Sequence, residues 1–147
     1  MPGRVIAKVA RMAVTTSRSL VVLRLAAALS ALLGLVQAGL GFSGLTRILA
    51  APGDNEAGAS FIDPHGILGY TNLLAMVVAA VASLVWYRKG GSRGILMHAS
   101  GMVVILLVQI GLGQGKVLWV HVVLGVLAVL GSIALAVLAY RKSGGTA

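Results

Sequence analysis

The sequence predicts an all-α integral membrane protein. The expected architecture is a four-helix bundle made of two tandem helical hairpins, related by a pseudo-twofold axis along the membrane normal. Three observations carry this. The 147 residues are 59% hydrophobic and 10% charged, with a mean hydropathy of +1.00, whereas a soluble domain carries about 25% charged residues. The chain contains four apolar runs close to the ~20 residues that cross a hydrocarbon core about 30 Å thick. Finally, Leu35-Val36-Gln37-Ala38-Gly39-Leu40-Gly41 returns as Leu107-Val108-Gln109-Ile110-Gly111-Leu112-Gly113, identical at six of seven positions. Each copy is followed by a run that begins His-x-x-x-Gly and ends Tyr-Arg-Lys, so type, spacing and orientation repeat together.

Residues 1–24 form a basic segment with Arg4, Lys8, Arg11, Arg18 and Arg24. It reads either as a helix on an anionic membrane surface or as a flexible tail. Residues 25–142 are the bundle. The first span is about 25–45, longer than the 7–15-residue apolar core of a signal peptide, and it has an internal copy later in the chain. Residues 46–64 form a polar loop, with a turn signal at Pro52-Gly53-Asp54 and Pro64 suited to a helix start. The second span is about 66–87. A basic link at 88–93 leads to the third span, about 95–112. Gly113-Gln114-Gly115-Lys116 is a tight turn, the fourth span is about 117–139, and 143–147 is a tail.

The charges set the expected topology. Ten of twelve Lys and Arg lie in the N-terminal segment, the 88–93 link and the C-terminal end; Arg47 and Lys116 lie on the other side. The positive-inside rule places both termini and the middle link in the cytoplasm. The net charge of +9 thus reports membrane orientation and not a nucleic-acid partner. Trp86, Tyr87 and Tyr140 fall at the inner interface, as an aromatic belt requires.

There is no cysteine. Disulfides, iron–sulfur clusters, thiol catalysis and c-type haem attachment are thereby excluded. The three acidic residues, Asp54, Glu56 and Asp63, lie in one loop, which excludes catalysis by intramembrane carboxylates. Histidine does carry chemistry here. His65 and His121 sit near the outer ends of spans two and four, with Gly69 and Gly125 four residues on. An imidazole within a membrane span points inward to a partner. Two at one depth suit the axial positions of haem iron, and glycine at i+4 lies on the same helix face and makes room for a macrocycle. Zinc fits less well, because two histidines do not complete a tetrahedral site. His98 lacks this support: its repeat partner is Ala26, and it reads as an interfacial residue. Gln37 and Gln109 either bond between helices or flank a ligand, and Asn72 and Ser132 raise the same question more weakly. Arg47 and Lys116, in the loops nearest the histidines, would meet haem propionates or stand as solvated loop charges.

These residues resemble one four-helix half of the haem A synthases. The family's first-helix motif is similar to Gln37-Ala38-Gly39-Leu40-Gly41, with Gly44-Leu45-Thr46-Arg47 beyond it, and its third-helix motif is similar to Gln109-Ile110-Gly111-Leu112-Gly113. The resemblance spans residues 25–142. It implies that His65 and His121 are the axial pair of one haem b. Departures concern the chemistry: no span here holds a glutamate, the outer-loop cysteine pair is absent, and Gly66 and Val122 replace the arginine that commonly follows each histidine. The resemblance therefore implies the haem-holding scaffold and not the synthase activity.

The functional expectation is a small b-type cytochrome of a prokaryotic cytoplasmic membrane. It would hold one haem b per chain near the outer face, with a quinone or a respiratory protein as electron source. The alternative is a haem-free membrane subunit that packs against a larger complex or forms a homodimer. A transporter built from two copies lacks an intramembrane charge to mark a substrate route.

Overall fold

The computed structural model describes residues 18–51 and 58–141. Among them are four helices: α1 (Arg18–Ala50), α2 (Ala59–Tyr87), α3 (Arg93–Gln114) and α4 (Leu118–Arg141). All four are long and apolar enough to cross a bilayer, and the chain is a multi-pass membrane protein. The N-terminal residues 1–17, the Pro52-Gly53-Asp54 turn and the tail beyond Arg141 lie outside the described residues.

The helices outrun the expected spans. With 33 residues, α1 is about 50 Å long at 1.5 Å per residue, so it extends past a ~30 Å hydrocarbon core. Arg18 and Arg24 belong to this helix and not to a separate basic segment. Similarly, α2 begins two turns before Gly66, at Ala59, behind Gly58 in a left-handed conformation (φ 109°). Pro64 therefore sits inside α2 and not at its start, and the backbone N–H it lacks falls in the second turn. Gly113 and Gln114 extend α3; the turn reduces to Gly115 and Lys116, with Lys116 left-handed at φ 57°. Between α2 and α3, Gly90 takes φ 92°, a left-handed backbone that favours glycine, and Gly91 lies against the Trp86 ring, where a Cβ would collide with it.

Each helix packs on two others around a ring. The contacts join α1 to α2, α2 to α3, α3 to α4, and α4 back to α1. The diagonal pairs, α1 with α3 and α2 with α4, share no Cα approach within 8 Å. Nine of the sixteen buried hydrophobic residues among those described are alanine. Small side chains let neighbouring helices approach closely where lipid supplies no hydrophobic driving force. Leu23, Met76 and Leu135 fill the axis at the basic end. Large apolar residues such as Leu25, Leu32, Leu74, Val104 and Leu130 stay exposed, forming the surface that faces the lipid chains.

A polar cluster interrupts the axis at mid-height. Ser30 of α1 donates to Asn72 Oδ1 of α2 at 2.6 Å, and its oxygen lies 3.5 Å from that of Ser132 on α4. All three side chains are buried. An unpaired hydroxyl or amide in hydrocarbon is costly, so this bond holds α1 and α2 in register. Replacing Asn72 by Ala should lower stability by about 1 kcal/mol, the scale of interhelical bonds in membrane bundles. Unfolding of the detergent-solubilised variant measures this; an unchanged midpoint would remove the cluster from the stabilising contacts.

Candidate functional site

The two halves of the repeat build the same local structure. In the first half, the Nδ1–H of His65 donates to the backbone carbonyl of Gln37 at 2.7 Å. The Nδ1–H of His121 donates to the carbonyl of Gln109 at 3.0 Å in the second. A carbonyl can only accept, so each bond places the proton on Nδ1 and leaves Nε2 as the nitrogen with a free lone pair. A hydrogen bond from the far ring nitrogen is also what orients a metal-ligating histidine.

The two histidines come from the diagonal pair α2 and α4, whose backbones do not touch. Their side chains span the gap: the ring centroids are 5.9 Å apart, in an edge-to-face arrangement with 71° between planes. Both rings are half-buried. The structure thus brings together the two imidazoles that the repeat singles out.

Glycines one helical pitch apart accommodate the parts. A Cβ on Gly41 would come within 2.9 Å of the His65 ring, and one on Gly113 within 3.0 Å of the His121 ring. These last glycines of the repeat motif are what give the imidazoles their space. From the sequence, Gly41 reads as a helix-packing residue and Gly113 as part of a tight turn; neither reads as a seat for an imidazole. The signal that could have found them is their place in both copies, four residues after each glutamine and thus on the glutamine's face.

Gly69 and Gly125 serve a different neighbour from the one expected. The side-chain amide of Gln37 lies over Gly69, and that of Gln109 lies over Gly125. Helix direction explains this. Side chains lean toward the N-terminus of their helix, so glutamines on α1 and α3 lean toward the basic end. There they reach the glycine one turn past each histidine on the antiparallel partner. Gly125 also leaves the His121 carbonyl open to a second donor, and Gln109 Nε2 bonds to it at 2.7 Å. The other amide atom, Gln109 Oε1, is buried without a hydrogen-bond partner among the described residues.

The outer cations stand beyond the pair. The Arg47 guanidinium lies 4.8 Å over the Phe61 ring, and Phe61 is one turn before His65 on α2. Lys116 occupies the α3–α4 turn, five residues before His121. His98 is elsewhere: its Nε2–H donates to the Gly131 carbonyl at 2.9 Å, tying α3 to α4. It uses the opposite ring nitrogen from the paired histidines and serves an interhelical contact.

The centroid spacing of the pair is compatible with a bis-histidine haem. Imidazole–metal bonds are about 2 Å; with the ring radius added on each side, an axial pair needs centroids about 6 Å apart, close to the observed spacing. No group of three or more His, Asp or Glu side chains with metal-ligand geometry occurs among the described residues, so a self-sufficient protein cage for a bare ion is not formed there. The chain matches no protein-family model, no curated protein and no solved structure.

Proposed function

We propose that the chain is a small membrane b-type cytochrome that carries electrons through one haem b held between α2 and α4. The observation that supports this is the facing pair His65 and His121, at a separation suited to axial ligation, each with Nδ1 tied to a backbone carbonyl. In this reading the chain shares the haem-holding scaffold of one half of the haem A synthases. Bound haem supplies a one-electron iron couple.

The protein's own residues do the rest. His65 and His121 would hold the haem iron through Nε2, and the Gln37 and Gln109 carbonyls keep the rings in that tautomer. A haem held by two histidines would supply electron transfer and not oxygen binding. Gly41 and Gly113 keep the imidazoles seated. Arg47 and Lys116 offer cations to the propionates, for which charge-assisted bonds are the strong kind. Among the described residues, Arg18, Arg24, Arg88, Lys89, Arg93 and Arg141 lie at the far end; by the positive-inside rule that end would face the cytoplasm, and the haem would lie near the outer face of a prokaryotic cytoplasmic membrane. A quinone or a respiratory protein would exchange electrons with it.

A reduced-minus-oxidised spectrum of the purified protein, with a pyridine haemochrome assay, tests this. The expected result is a low-spin b-type spectrum at about one haem per chain. A protein that stays colourless after haem supplementation would overturn the reading. His65 and His121 would then be helix-contact residues of a packing subunit, using the same edge-to-face contact and carbonyl bonds.

A further inference from the structure

We infer that the groove between α1 and α2, at the basic end of the bundle, is a binding site for one anionic glycerophospholipid. The inference is independent of haem. A cavity of about 450 Å³ opens here, within the range of about 300–1,000 Å³ typical of small-ligand sites. Its walls include Val22 of α1 and Val78, Val81 and Val85 of α2, and its basic end is lined by Arg18 and Lys89.

The pattern is that of an amphiphile. The lining runs from Val77 to Lys89, twelve steps or about 18 Å at helical rise, close to one leaflet of a ~30 Å core. An acyl chain laid on the valines would place its phosphate level with the two cations. Val78, Val81 and Val85 stay 42%, 56% and 40% exposed, so no part of the described chain covers this surface. Basic pockets between membrane helices at the cytoplasmic side recognise anionic headgroups.

A second groove, between α3 and α4, is about 330 Å³, and its lining, which includes His98, contains no Lys or Arg. It is not the repeat mate of the first: Met97–Ile105 align with Leu25–Leu33, farther from the basic end than Arg18 and Val22. The α1–α2 groove is the one that joins an apolar floor to cations.

Native mass spectrometry of the full chain tests this, in detergent micelles carrying equal amounts of phosphatidylglycerol and phosphatidylcholine. The expected result is one retained phosphatidylglycerol, favoured over phosphatidylcholine on the order of tenfold, given two cations near an anionic headgroup. Arg18→Gln with Lys89→Gln should bring the two lipids to parity, whereas Arg141→Gln, on α4 and outside the groove lining, should keep the preference. Val81→Trp, which fills the groove, should reduce both adducts. Equal retention of the two lipids by the wild type would overturn the proposal. So would a preference that survives the double substitution.

Discussion

If the chain is the proposed cytochrome, His65→Ala and His121→Ala should each abolish the low-spin haem spectrum, and His98→Ala should leave it intact. This is the largest effect expected of any substitution in the chain. Either substitution would remove one of the two residues that would hold the haem. Loss of a residue that merely orients a ligand typically costs 10–100-fold in affinity, and loss of the ligand itself should cost at least that. The two variants should behave alike, because the repeat gives both histidines the same setting, Nδ1 on a glutamine carbonyl and a glycine against the ring. His98 is the internal control. Its Nε2–H is committed to the Gly131 carbonyl, in the α3–α4 interface and not on the diagonal. Spectra of the three variants, normalised to protein, measure this. If His98→Ala alone removed the haem, the assigned pairing would be wrong.

Gly41→Val and Gly113→Val are expected to be nearly as severe, although neither residue is a ligand. A Cβ at either position would sit about 3 Å from the imidazole, close to the Nδ1 that the carbonyl four residues earlier on the same helix holds. The ring has to leave its seat, and the Nδ1–H bond that sets its tautomer breaks with it. The expected loss is about 10–100-fold in haem retention, the usual range for a disturbed ligand-orienting contact. Gly39→Val and Gly111→Val are the matched controls. They lie two residues away in the same motif, and a Cβ there meets nothing within 4 Å. Haem content and spin state of the four variants decide the matter. Equal loss in all four would trace the effect to general helix packing, and retention in the first two would show that the glycines do not seat the rings.

Much of this architecture was legible in the amino-acid sequence. Apolar run length predicts four spans because a bilayer demands about 20 residues per helix whatever the tertiary fold. The duplication is read directly from the Leu-Val-Gln-x-Gly-Leu-Gly motif and the His-x-x-x-Gly run that follows it. Because both hairpins run the same way, the repeat also places His65 and His121 at one depth. What remained illegible is mostly a matter of helix ends. Pro64 reads as a start signal, yet α2 begins at Ala59 and runs through it, giving up the bond that an N–H at 64 would make to the Ser60 carbonyl.

The amino-acid sequence by itself determined the class of protein, the number of membrane helices, their alternating direction and the pairing of the two histidines. These follow from hydropathy and from an internal repeat, which are properties of the chain in one dimension. Tertiary structure alone decided what each small residue is for. Gly69 and Gly125 receive the glutamine amides, while Gly41 and Gly113 receive the imidazoles. Tertiary structure also decided that the Gln37 and Gln109 carbonyls fix the histidine tautomer, that His98 joins α3 to α4, and that Ser30, Asn72 and Ser132 meet on the axis. The physical reason is that a glycine or a carbonyl carries no mark of its neighbour. Which group faces it depends on the rotation and axial offset of two packed helices, and those emerge only when all four helices settle around a common axis.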